Sequence, residues 1–122
     1  MAFLLDSYAW LEYFGGNGEY AKYAESEEPP FTAASSLTEI VRAFTRKKVS
    51  TKKAEELIRF VTERSVILPL EKDDAIKAGL LAEEFSLHFS DALIYAFASN
   101  GRRLVTGDAH FKGLPFVEFV QA

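Results

Sequence analysis

Residues 3–11 read Phe3-Leu4-Leu5-Asp6-Ser7-Tyr8-Ala9-Trp10-Leu11. Three apolar residues in a row, without alternation, suit a central strand covered on both faces. Asp6 ends the run. Ser7 is a good N-cap, and Ala9, Trp10, Leu11 and Phe14 follow at helical spacing until Gly15-Gly16-Asn17-Gly18 stops them. An apolar strand that passes straight into a helix is the first half of a βαβ unit.

The pattern recurs along the chain. A polar helix is expected over about 19–27, with Tyr20, Tyr23 and Ala24 on one face, and Pro29-Pro30 ends it. Phe31-Thr32-Ala33-Ala34 reads as a short strand. Ser35 or Ser36 then caps a helix, and Ser36-Leu37-Thr38-Glu39 fits a capping box. That helix runs to Arg46-Lys47-Lys48. Ser50 or Thr51 caps the next, whose apolar stripe is Ala54, Leu57, Ile58 and Val61. Val66-Ile67-Leu68-Pro69-Leu70 is a further strand. Asp73 and Asp74 open a helix, Ser90 caps another that Asn100-Gly101 closes, and Arg103-Leu104-Val105-Thr106 is a fourth strand. Phe116–Val120 alternates as a short edge strand does. Strands separated by helices imply an α/β fold: a parallel sheet of about four to five strands with right-handed crossovers, flanked by helices. With no linker, repeat or low-complexity tract, residues 1–122 are expected to form one domain.

In such a sheet, functional groups gather beyond the carboxyl ends of the strands. Four acids stand at such places. Asp6 ends the first run, and Asp108 follows Leu104-Val105-Thr106-Gly107. Glu39 and Asp91 lie near helix starts. If they converge, they form an oxygen-rich pocket suited to Mg²⁺ or Mn²⁺. Clustered carboxylates repel one another, and a divalent cation relieves that repulsion and supports chemistry on phosphates. Ser7 and Thr106 are placed to hydrogen-bond the carboxylates and fix their rotamers.

Charge and composition bound the partners. The chain has 122 residues and a net charge of −4, which disfavours indiscriminate nucleic-acid binding. The basic residues are concentrated, however: residues 41–64 hold eight bases against three acids. Within that block Arg42, Arg46, Lys47 and Lys48 lie next to Glu39 and form a candidate rail for a phosphate backbone. With no cysteine, disulfides, thiolate metal sites and a cysteine nucleophile are excluded. No stretch approaches the roughly 20 apolar residues needed to span a bilayer, and no basic region precedes the first apolar run. A soluble, cytoplasmic protein without a membrane partner is the expectation.

Four pieces together resemble a known family. They are Leu4-Leu5-Asp6-Ser7; Ser36-Leu37-Thr38-Glu39; Asp91-Ala92-Leu93-Ile94-Tyr95-Ala96-Phe97-Ala98; and Leu104-Val105-Thr106-Gly107-Asp108-Ala109-His110-Phe111. In this order and at these separations they resemble the PIN-domain ribonucleases, and within them the VapC toxins of type II toxin–antitoxin pairs, over nearly the whole chain. The resemblance implies a metal-dependent endoribonuclease with an acidic cluster of Asp6, Glu39, Asp91 and Asp108. Asp6, Asp91 and Asp108 are the implied metal ligands, and Thr106 supports them. It also implies an RNA substrate, a homodimer and a cognate antitoxin that covers the active site. The alternative is a PIN-fold RNA- or protein-binding module without nuclease activity. A receiver-like phosphoacceptor would need a paired-acid start and a Lys after a late strand, but Asp6 has no acidic neighbour and Lys112 follows a Gly-Asp turn; a haloacid-dehalogenase-like phosphatase would need Asp-x-Asp, and Asp6-Ser7-Tyr8 lacks the second acid. The two histidines, His88 and His110, are read as surface or packing residues, and Glu83-Glu84 as surface.

Overall fold

The computed structural model describes residues 1–121. Five strands form one sheet: β1 (Ala2–Leu5), β2 (Phe31–Ala33), β3 (Val66–Leu68), β4 (Arg102–Thr106) and β5 (Val117–Phe119). Their spatial order is β3-β2-β1-β4-β5, and every pairing is parallel. Six helices connect them: α1 (Ser7–Phe14), α2 (Ala21–Ala24), α3 (Ala34–Arg46), α4 (Thr51–Arg64), α5 (Lys72–Phe85) and α6 (Phe89–Tyr95).

The unbroken apolar run of β1 has a direct structural cause. Successive residues of a strand face opposite sides, and both sides of this sheet are covered. Leu5 and Val105 pack with Ala9, Trp10, Ile40, Phe44 and Val61 on one face. Leu4 and Leu104 pack with Ile94, Tyr95 and Phe111 on the other. All four strand residues are fully buried, each contributing on the order of 1.5–3 kcal/mol of transfer free energy. Three buried polar side chains pair in series. Trp10 Nε1 donates to Thr32 Oγ1 at 3.0 Å, Thr32 Oγ1 donates to Ser65 Oγ at 2.9 Å, and Ser65 Oγ donates to the Val61 carbonyl at 2.6 Å. That chain ties α1, β2 and the end of α4 together.

Helix starts depart from the sequence reading in a consistent way. Asp6, not Ser7, caps α1: the Ala9 N–H donates to Asp6 Oδ1 at 2.8 Å, and Ser7 is the first helical residue. β2 runs directly into α3, so Ala33 is the N-cap with no side-chain bond, and the expected capping box at Ser36 does not form. Ser36 Oγ is buried without a protein partner. His88, not Ser90, caps α6, and the helix ends at Tyr95, well before Asn100. The polar helix expected over 19–27 is reduced to a 3₁₀ turn at Gly18–Tyr20, capped by Asn17, followed by α2. Ser50 does cap α4, its hydroxyl accepting from the Lys53 N–H at 3.2 Å.

Strand order places the site. From β1, the chain builds outward through β2 to β3 on one side and later through β4 to β5 on the other. The order therefore reverses between β1 and β4, where an open parallel sheet leaves a crevice at its carboxyl edge. Leu5 is in register with Val105, so Asp6 and the Thr106–Asp108 turn emerge side by side at that crevice.

Candidate metal centre

Asp6 sits deepest, at 2% exposure. Its Oδ1 is held by the Ala9 N–H, and its Oδ2 accepts a 2.5 Å bond from Thr106 Oγ1. Thr106 Oγ1 in turn accepts from the Asp108 N–H at 3.0 Å, and Asp108 Oδ1 accepts from the His110 N–H at 3.0 Å. A continuous hydrogen-bonded line thus runs from the end of β1 across the end of β4 into the following turn. On the other side, Ser7 Oγ donates to Glu39 Oε1 at 3.3 Å, joining α1 to α3.

Asp91 enters from the first turn of α6. Its Oδ2 lies 3.3 Å from His110 Nδ1, and the same nitrogen lies 3.4 Å from Asp108 Oδ1. Donor atoms of Asp91, Asp108 and His110 all fall within 4.8 Å of one another. Asp6 and Glu39 are outside this tightest set but within its field. An open cleft of about 550 Å³ leads to it, lined by Ser86, Leu87, His88 and Ser90 together with the three donors. The sequence reading places His110 in a surface or packing role. It is exposed, yet its ring bridges two of the acids. The available signal was its position two residues beyond Asp108, in the turn that Asp108 caps.

The electrostatics are those of crowded acids. Burial pushes the Asp6 carboxyl up to about 7; the Thr106 hydroxyl and the Ala9 N–H pull against this, and the charges of Asp108 and Glu39 add to it. Glu39 is raised chiefly by burial, then by Asp91 and Asp108, with Ser7 and Arg42 opposing. Asp91 is raised by burial and by Asp108, with His110 and His88 opposing. Among the described residues, no Lys or Arg lies within salt-bridge distance of these acids. Two carboxylates and an imidazole nitrogen meet the needs of a small divalent cation that keeps several waters, and the imidazole suits a transition ion such as Mn²⁺ better than Mg²⁺.

The basic residues lie on α3 and the turn that follows it: Arg42, Arg46, Lys47 and Lys48 are exposed there. None forms a salt bridge with another described residue.

Gly107 lets the turn after β4 fit. A Cβ there would stand 2.5 Å from Tyr8 Cε1, 2.5 Å from Tyr20 Oη and 2.9 Å from the Val120 carbonyl oxygen. Gly107→Ala is expected to lower unfolding free energy by about 1–3 kcal/mol, measured by urea titration. Unchanged stability would mean that the tyrosines move aside freely.

The PIN domain family model matches residues 3–117. No curated protein sequence matches the chain. Among solved structures the fold is similar to that of a toxin–antitoxin complex from Klebsiella pneumoniae, at 22% identity and a TM-score of 0.81 with all of both chains covered. It is similar to Mycobacterium tuberculosis VapC20, a sarcin–ricin loop cleaving toxin, at 19% identity and a TM-score of 0.75, covering 99% of this chain and 100% of that one. A third is DNA-bound VapBC from Salmonella typhimurium, at 17% identity and a TM-score of 0.75, covering 99% and 98%. At these identities the likeness is one of fold.

Proposed function

The chain belongs to the PIN-domain family, and from that premise we propose that it is a metal-dependent endoribonuclease, the toxin of a toxin–antitoxin pair, with residues 1–122 acting as one nuclease domain. The observation that carries this reading is the convergence of Asp6, Glu39, Asp91 and Asp108 at the β1/β4 crevice with, among the described residues, no Lys or Arg in salt-bridge contact with them.

Asp91, Asp108 and His110 would hold Mg²⁺ or Mn²⁺, with Asp6 fixing Asp108 through Thr106 and adding its charge. Bound there, the ion supplies a lowered water pKa and offsets negative charge on the phosphate. The chain's own groups do the positioning. Thr106 uses its proton on Asp6 and its lone pair on the Asp108 N–H, so the two acids cannot drift apart. Ser7 occupies Glu39 Oε1 and leaves Oε2 free to receive a proton from an attacking water. Arg42, Arg46, Lys47 and Lys48 would carry the RNA backbone toward the cleft.

The test is direct. Purified chain is expected to cut single-stranded RNA with Mn²⁺, with Mg²⁺ at most equally effective, and excess chelator is expected to abolish cutting. Cleavage should also weaken steeply with salt, less so in a Lys47→Glu/Lys48→Glu variant. Undiminished cutting in chelator rules out the metal reading. Binding without any cutting supports the alternative, a PIN-fold binding module.

Two assemblies accompany the proposal. A cognate antitoxin, as in the toxin–antitoxin structures of similar fold, would silence cleavage when co-expressed. A second copy of the chain would cover the outward face of α5, where Ile76 and Leu80 are 60% and 69% exposed. Sedimentation of an Ile76→Glu/Leu80→Glu variant as the same species as the wild type would exclude that face. Among the described residues, no helix is long and apolar enough to cross a membrane.

A further inference from the structure

Phe89 is the first residue of α6, two positions before Asp91, and its side chain is left to solvent at 69% exposure. Nothing in the core requires it there. Its one aromatic contact is the His88 ring, with centroids 5.0 Å apart and planes tilted by 32°. His88 is itself held in place: its Nδ1 faces Ser90 Oγ at 3.0 Å and lies 3.4 Å from the Ser90 N–H. His88 and Ser90 also line the cleft that leads to Asp91, Asp108 and His110. The outcome is a pair of aromatic rings tilted by 32° to each other, of which His88 lines the acidic cleft and Phe89 stands exposed beside it.

We propose that the Phe89–His88 pair is a stacking platform for an unpaired nucleobase of the RNA strand entering the cleft, and so a positioning element for the phosphate to be cut. The proposal rests on the nuclease reading above and adds the part of the substrate that the lip recognises. An acidic cleft repels a phosphate backbone, and the basic groups that attract it lie away on α3 and the following turn. Contact with the flat face of a base is the attraction available here that does not depend on charge. Every base has such a face, and aromatic side chains bind it in single strands. Within an A-form duplex the base faces are closed off by their neighbours, so the platform selects single-stranded or looped RNA.

The experiment uses Phe89→Ala, Phe89→Trp and Phe89→Leu chains and a fluorescein-labelled single-stranded oligoribonucleotide of mixed sequence. Because the ring is exposed, all three variants are expected to fold and melt as the wild type does. In chelator, anisotropy is expected to show roughly tenfold to a hundredfold weaker binding for Phe89→Ala. Phe89→Trp should retain affinity and Phe89→Leu should not. The slope of affinity against salt should be unchanged, because no charge is removed. In Mn²⁺, Phe89→Ala should raise KM by a similar factor with little change in kcat. A 2-aminopurine base near the cut site should be quenched by the wild type and not by Phe89→Ala.

Equal affinity of wild type and Phe89→Ala overturns the platform, as does Leu serving as well as Trp. So does a change in sedimentation without a change in RNA affinity, which would assign Phe89 to a protein interface. The two readings fail separately. A chain that binds RNA through Phe89 but never cuts keeps the platform and loses the nuclease. A chain that cuts with a KM indifferent to Phe89 keeps the nuclease and loses the platform.

Discussion

Replacing Asp91 by Asn is expected to reduce Mn²⁺-dependent RNA cleavage by about a thousandfold while leaving the chain folded and no less stable. The opposite signs are the point. Asp91 is half-buried in the first turn of α6, 3.3 Å from His110 Nδ1, and its carboxyl is raised by burial and by Asp108. Its charge is therefore unfavourable to the fold, and Asn, of nearly the same shape, removes that charge. A residue kept for packing would lose stability without a matching loss of chemistry. A residue kept for holding a cation loses chemistry and leaves stability level or improved. Asp108→Asn is expected to lose cleavage to a similar degree. RNA cleavage and thermal melting of the two variants, measured side by side, check this. Cleavage that survives both substitutions rules the proposed centre out.

Without metal, the wild-type chain is expected to lose stability as pH rises from about 4 to above 7, by on the order of 4 kcal/mol. The cause is chiefly Asp6. In the native chain its carboxyl binds a proton up to about pH 7, whereas its ordinary value is 3.8. Between those values the native state carries a proton that the unfolded state lacks, so raising the pH favours unfolding. Below both values the two states are protonated alike and the effect vanishes. Above about 7 the buried carboxylate is charged and the loss is complete. Glu39 and Asp91, also raised, act in the same direction. Asp6→Asn should flatten the profile and leave the chelated protein more stable than wild type at about pH 8. Added Mn²⁺ should restore the wild type there. Urea unfolding in chelator at several pH values checks it, and a stability that is flat or rising across this range would contradict it.

Much of the architecture was legible because burial leaves a plain trace in sequence. Phe3-Leu4-Leu5 and Leu104-Val105 lack polar residues because both faces of the sheet are covered, and that covering requires crossover helices. The strand ends were legible for the same reason: Asp6 and Asp108 stand where the apolar runs stop. Capping was less legible. Asp6, Ser7, Ser36 and Ser90 are all good cap residues, and which one caps depends on where the strand releases the chain. At β1 that point is Asp6, and at β2 it is Ala33, which cannot cap with its side chain at all. His88 and His110 carried no periodic signal, since each stands in a turn.

The sequence by itself determined that this chain makes a parallel α/β sheet, and that Asp6, Glu39, Asp91 and Asp108 stand at strand ends or near helix starts. Those are local matters of hydrophobic period and of where it breaks. Only the tertiary structure decided the strand order β3-β2-β1-β4-β5, and with it that the ends of β1 and β4 open beside each other. It decided that Thr106 reaches Asp6 across 100 residues of chain and also holds Asp108, that His110 bridges Asp91 and Asp108, and that Phe89 is left exposed beside His88. Distances between side chains far apart in sequence follow from how the helices pack on the two faces of the sheet, and no local pattern encodes that packing.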